Sequence, residues 1–229
     1  LRGGEGMGKS RLLSEMYQHL RKQELPTFRG RISPGQSAVD MVAEFARHVA
    51  TESGDGELNF LIQAFDKSKE TPDADMRHQL FDRTQAMLQK LAEERPQIFL
   101  VDDIHHAQGL LQELINYLAG GLLKRNQLPL LFVATSDSPQ EWLATTHSYQ
   151  ISPLQSEGIL EILDKMGCKD KGLQLLAERL HQETDGIPVF LTEFLRDLIQ
   201  RKVIDLGPPC RFNSDVEEIA SKLDLPPGL

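Results

Sequence analysis

The chain has 229 residues, enough for one large domain or one domain with a small appendage. Its 40% hydrophobic and 26% charged residues exclude a disordered tail and a collagen-like fibre, and no apolar run approaches the ~18 residues of a membrane helix. Lys and Arg total 25 against 34 Asp and Glu, a formal charge of −9, so nothing pulls the chain generally toward nucleic acid or an anionic membrane.

Periodicity then places the elements in chain order. Leu12, Leu13, Met16, Tyr17 and Leu20 predict a helix over 9–22. Thr27 to Arg31 is a short strand. Ser37 with Asp40 is a candidate capping box for a helix carrying Val42, Phe45 and Val49, and a turn at Ser53–Gly56 precedes another helix at about 58–66. Thr71-Pro72-Asp73 opens a long helix that Pro96 ends. Gln97–Val101 is apolar at consecutive positions, the pattern of a fully buried strand. Leu110 to Leu118 form a helix closed by Gly120-Gly121, and Leu130–Ala134 is a second buried strand. Tyr149–Ile151 is a last, short one. From Ser156 onward the pattern is helical only, at about 156–166, 172–183 and 188–202. One short helical segment lies between Gly207-Pro208-Pro209 and Pro226-Pro227-Gly228.

Alternating helices and strands followed by helices alone predict an α/β domain with a mostly parallel sheet, then a small all-α lid. The expected division is 1–153 for the α/β domain, 154–204 for the lid and 205–229 for a linker. The only cysteines, Cys168 and Cys210, supply neither a disulfide framework nor a four-thiolate zinc site, so reduced thiols in the cytoplasm are expected. Leu1-Arg2-Gly3-Gly4 lacks the features of a signal peptide, and the chain reads as cut from something longer.

The chemistry concentrates at three strand ends. Gly3-Gly4-Glu5-Gly6-Met7-Gly8-Lys9-Ser10 matches the P-loop pattern G-x-x-x-x-G-K-[ST]. Its glycines let backbone N–H groups converge on phosphate, and the following helix aims its positive end at the same point. Lys9 reaches β- and γ-phosphates in such a loop, and the Ser10 hydroxyl binds Mg²⁺. Ile98 to Asp103 is a buried strand ending in two acids, which delivers carboxylates to the ligand-binding edge of an open α/β sheet. Asp102 is the candidate Mg²⁺ acid, and Asp103 the group that orients or deprotonates attacking water. Thr135 or Ser136, after the next strand, either senses phosphate or caps a turn. His105 and His106 follow the acids without the further partners of a zinc site, so they are expected as loop histidines near the nucleotide. Lys124-Arg125 precede the second buried strand, Arg125 being a candidate finger in trans or a solvated charge.

These motifs together resemble the AAA-type ATPase module of STAND signalling NTPases, the origin-recognition-like AAA ATPase family. Arg11-Leu12-Leu13 follow the P-loop as in that family, and Leu91 to Pro96 lead into the acidic strand. Asp102-Asp103-Ile104-His105-His106-Ala107 is similar to its D-D-L-H-W-A-D, with His106 for Trp and Gln108 for the last Asp. Ile151-Ser152-Pro153-Leu154 resembles the L-x-P-L before the lid, Gly186-Ile187-Pro188 the G-x-P motif, and Leu225-Pro226-Pro227 the segment before a winged helix. The resemblance implies an ATP/ADP site with Mg²⁺ in which Gly186 and Pro188 sit near adenine and couple the lid to nucleotide state. It also implies a slow ATPase or switch, effector and helical-repeat domains in the same parent chain, and homo-oligomers.

Two departures stand out. Asp137 occupies the place of an arginine that many relatives carry, and an acid there repels a γ-phosphate. The strand that should precede the P-loop is reduced to Leu1-Arg2. The expected function is an ATP-dependent switch with slow Mg²⁺-dependent hydrolysis, the alternative a non-hydrolysing nucleotide-binding oligomerisation module. A small-molecule kinase and an origin-type DNA role rank lower, the first because of the Asp102-Asp103 strand ending and the long helical lid with G-x-P. The −9 charge gives the second no support.

Overall fold

The computed structural model describes residues 1–36, 40–41, 44, 74–123, 128–143, 147–205, 207, 210–213 and 215–221. The predicted turn at 53–56, the helix at 58–66, the helix start at Thr71, Arg125 and Leu225–Pro227 lie outside them, as does most of the helix expected from Ser37. The chain divides into two compact units, one of Leu1–Arg2 and Lys9–Gln150, the other of Gly3–Gly8 and Ile151–Leu229.

The first unit carries α1 (Lys9–Lys22), β1 (Thr27–Arg31), α2 (Ala74–Glu94), β2 (Gln97–Asp102), α3 (Gly109–Leu118) and β3 (Leu130–Ala134). The strands form a parallel sheet in the order β1-β2-β3. Parallel neighbours need crossover connections, and α2 and α3 provide them. Central β2 is apolar at successive positions because both of its faces are covered. Ile98 and Leu100 pack on Leu13 of α1, with Met16, Tyr17 and Leu20 around them. Phe99 points the other way, onto Phe28 and Leu88 of α2. Val101 joins Ile32, Ile104, Leu111 and Ile115 on that second face.

Strand β3 departs from the expected full burial: Leu131 is 49% exposed. Among the described residues its outer side is met only at its C-terminal end. There the Leu1 amine donates to Ala134 O at 2.7 Å, and Arg2 forms parallel bridges to Ser136 and Gln150. The helix α3 also runs past its expected stop. A wide π-type turn over Ala119–Leu123 carries it through Gly120 and Gly121.

The second unit contains α4 (Ser156–Lys165), α5 (Leu173–Thr184), α6 (Pro188–Gln200), the hairpin strands β4 (Ile204–Asp205) and β5 (Arg211–Phe212), and α7 (Val216–Ser221). Ile159, Leu163, Leu176, Leu180, Leu191 and Phe194 form its core at helical spacing. The antiparallel β4–β5 hairpin was not anticipated, since two-residue strands leave no periodic pattern. The cysteines are a second correction to the sequence reading. Cys168 and Cys210 are disulfide-bonded with Cα atoms 4.7 Å apart, tying the α4–α5 loop to the start of β5. They lie 42 positions apart in sequence, and only the folded bundle brings them together.

Candidate functional site

Helix α1 begins at Lys9, directly after the glycine loop, and Lys9 is 7% exposed. A buried ammonium is costly unless it is paired. Its partner is Asp137, whose Oδ1 lies 2.6 Å from Lys9 Nζ. That contact holds the Asp137 carboxyl below its ordinary value, chiefly by the hydrogen bond from Lys9 and then by the charges of Lys9, His105 and His106. Ser10 and Arg11 follow on exposed positions of α1. Arg11 runs along the helix surface to Glu15 at 2.6 Å, an i,i+4 pair.

Strand register assembles the rest of the first unit's site. Arg31 of β1 lies opposite Asp102 of β2, and Val101 lies opposite Ala134 of β3. The next residue on each chain therefore meets at the sheet's C-terminal edge. Thr135 is wholly buried, and its Oγ1 donates to Asp102 Oδ1 and accepts the Asp103 N–H at 2.9 Å. Ile104 N donates to Thr135 O at 2.9 Å and Ile32 N to Asp102 O at 3.0 Å, so the acids are framed from both neighbouring strands. Asp103 has φ 58° and ψ 45°, a left-handed conformation that Asp tolerates better than most residues. This single residue turns the chain out of β2 into the short 3₁₀ turn Ile104–His106. Its carboxylate accepts from Arg31 Nε at 2.9 Å and faces Arg31 Nη2 at 2.9 Å. His105 Nε2 sits 3.5 Å from Asp137 Oδ2, and the rings of His105 and His106 are 4.1 Å apart.

Asp102, Asp103 and Thr135 are thus brought into direct contact, and Lys9 is joined to Asp137. Sequence reasoning missed Arg31 as the partner of Asp103. The signal was available in principle, because a strand ending in Arg beside one ending in Asp-Asp puts a cation next to the acids at matched register. It treated Asp137 as a repulsive departure and did not foresee the Lys9 pair.

The second unit holds the glycine loop together with the G-x-P turn. Gly6 has φ +78°, and a Cβ there would lie 2.4 Å from Val189 Cγ1. The Val189 N–H, one of the first of α6, donates to Gly6 O at 3.2 Å and so satisfies a donor that a helix start leaves open. Gly3 and Met7 are buried, and Gly4 and Glu5 are exposed. Gly8 is half-buried. Pro188 occupies the first turn of α6, where a missing N–H costs nothing. Gly186, at φ +66°, is buried so closely against Leu154 O that a Cβ would come within 2.0 Å of it. Leu154 N donates to Gly186 O at 2.8 Å, fastening the Pro153-Leu154 segment to the turn.

A parallel α/β sheet, a glycine loop running into a helix that starts with lysine, and a strand-end aspartate define the chain as having the P-loop NTPase fold. A family model described as the AAA ATPase domain matches residues 1–133, more than half of the chain, and the chain belongs to that family. No curated protein sequence matches it. Among solved structures it is similar to Cdc6p from Pyrobaculum aerophilum, with TM-score 0.52 and 13% identity over 87% of this chain and 56% of that one. It spans little more than half of that protein's length. A RuvB variant from Thermotoga maritima matches with TM-score 0.38 and 15% identity over 96% of this chain and 69% of that one. PCH-2 of C. elegans matches with TM-score 0.38 and 11% identity over 93% and 66%. At these identities the likeness to Cdc6p speaks for the fold alone. No helix among the described residues is long and apolar enough to cross a membrane.

Proposed function

We propose that this AAA ATPase domain is a STAND-type, nucleotide-dependent conformational switch that binds ATP with Mg²⁺ and hydrolyses it slowly. The observation that carries the reading is the buried Lys9 at the start of α1, in the same unit as the buried Asp102–Thr135 pair. A hidden cation and a hidden carboxylate at a sheet's C-terminal edge are costly arrangements that an anionic, metal-bearing ligand makes useful. In this reading the backbone of Gly3 to Gly8 and Lys9 hold phosphate. Mg²⁺ suits the donor set, since Ser10 and Asp102 offer hard oxygens and Mg²⁺ takes few protein ligands beside phosphate and water. When bound, the ion would neutralise phosphate charge. Asp103 orients or deprotonates water, and Thr135 fixes Asp102. Residues 154–204 act as the lid, with Gly186 and Pro188 near the base, and 205–229 as a linker toward a winged helix. Effector and helical-repeat domains of one parent chain, and self-association, complete the proposal. Nucleic acid is not expected to bind this segment directly. A cytoplasmic setting supplies ATP.

The test is nucleotide binding and single-turnover phosphate release for wild type, Lys9→Ala and Asp103→Asn. Loss of binding in the first variant and retained binding with at least tenfold slower release in the second are expected, since general-base groups contribute about 10²–10⁴-fold. Equal release by wild type and Asp103→Asn at full ATP occupancy would remove hydrolysis from the mechanism. One observation favours a non-hydrolysing oligomerisation module instead: Asp103 is engaged by Arg31 rather than open to water. Light scattering with and without ATP separates the two, because that module changes size without releasing phosphate.

A further inference from the structure

We propose that Asp137 is an internal stand-in for phosphate on Lys9, a latch that a bound nucleotide must displace and that weakens triphosphate binding more than diphosphate binding. The inference rests on the nucleotide-binding reading of Lys9.

The Lys9 Nζ–Asp137 Oδ1 contact of 2.6 Å is a charge-assisted hydrogen bond of the kind a phosphate oxygen makes. Its two ends differ in exposure: the Lys9 side chain is 7% exposed and that of Asp137 45%. The cation is therefore fixed in the protein while the carboxylate can swing toward solvent. Ser136, just before Asp137, is buried and bridged to Arg2, so the movable part is the Asp137 side chain and the bend after it. The displaced carboxylate has a neighbour to turn to. His105 Nε2 is already 3.5 Å from Asp137 Oδ2, and His105 Nδ1 is buried with no hydrogen-bond partner among the described residues. The carboxyl of Asp137 is held well within its ionised form by Lys9, so it competes as a full negative charge.

Displacement leaves that charge close to the phosphates that take its place on Lys9. Repulsion grows with the number of phosphate charges near it, so the penalty falls more heavily on ATP than on ADP. The latch thus biases the site toward the diphosphate, or toward emptiness, until another contact favours ATP. A ligand shifts such an equilibrium only by its differential affinity for the two arrangements.

Two measurements test this. In the first, ADP and Mg²⁺-ATP binding is followed by equilibrium dialysis for wild type, Asp137→Asn and Lys9→Met. Asp137→Asn is expected to tighten ATP about tenfold and ADP by a smaller factor, in line with removing one nearby charge. Unchanged or weaker ATP binding in Asp137→Asn, with binding still abolished in Lys9→Met, overturns the latch and leaves the nucleotide reading standing. Undiminished binding by Lys9→Met overturns both. The second measurement uses no nucleotide and separates the two ideas. Acetylation of Lys9 by an N-hydroxysuccinimide ester is read by peptide mass spectrometry, with Lys22 as internal reference. An ammonium held by a carboxylate reacts slowly, so Asp137→Asn should raise the Lys9 rate several-fold. An equal rate in wild type and variant overturns the latch.

Discussion

Thr135→Val is the most informative change in the first unit. It keeps shape and β-branching and removes only the hydroxyl. That hydroxyl is wholly buried and serves two partners, donating to Asp102 Oδ1 and accepting the Asp103 N–H at 2.9 Å. Losing a bond to a charged acceptor costs about 1.5–3 kcal/mol, and leaving a buried N–H unsatisfied about 1–3 kcal/mol. The valine methyl returns roughly 1 kcal/mol by apolar burial. The net expectation is a loss of about 1.5–5 kcal/mol. Trp142, the only tryptophan, packs against the Val101–Leu111 cluster of the same unit and reports its unfolding. Urea titration by its fluorescence should show a lower midpoint with an unchanged slope. Thr135→Ser, which keeps the hydroxyl, should lose only about 1 kcal/mol. If valine costs less than about 0.5 kcal/mol at equal slope, the buried hydrogen-bonded junction is not what holds the two acids.

Three further outcomes follow from the geometry. Gly186→Ala would place a Cβ 2.0 Å from Leu154 O at φ +66°, so thermal unfolding by circular dichroism should show the second unit weakened by more than about 2 kcal/mol. Reducing the Cys168–Cys210 bond frees a loop of 42 positions, which chain-entropy reasoning values at about 4 kcal/mol. Urea unfolding with and without reductant measures this loss, and a Cys168→Ala/Cys210→Ala double variant should ignore reductant. The Asp137 carboxyl lies below its ordinary value of 3.8, so its stabilising contribution is complete above that value and disappears as pH falls through the folded-state one. Melting temperatures of wild type and Asp137→Asn should therefore differ at neutral pH and converge only below about 3.8, whereas a gap that closes between pH 5 and 7 would assign the pair to another group.

Much of the fold was legible because its signals are local. Helix α1 and strands β1 and β3 appear at the residues their periodicity assigns, and β2 runs one residue further, to Asp102. The buried strand was readable from four consecutive apolar positions, Ile98 to Val101, since both faces of a central parallel strand are covered. The exposure of Leu131 was not readable, because an edge position depends on which strand lies alongside, and Leu130–Ala134 has the same composition either way. The β4–β5 hairpin escaped for a related reason: its pairing of Ile204 with Phe212 spans too few residues to leave a period.

Order along the chain alone marked out a glycine loop before a helix, a lysine at that helix's first turn and two acids at the end of an apolar strand. Chemistry of that kind is written in spacing, because a loop that wraps phosphate must place its N–H groups and lysine within a few consecutive residues. Which groups those residues actually touch was decided only in three dimensions. Parallel register set Arg31 against Asp103 and Thr135 under Asp102, across 72 and 33 positions of sequence. Burial of Lys9 selected Asp137 as its counter-charge, turning a residue that spacing marked as merely repulsive into the partner of the site's central cation. Packing of the second unit closed Cys168 onto Cys210, a contact no count of cysteines reveals. Electrostatic and covalent partners act through a few ångströms of space, and only the fold determines which distant residues share them.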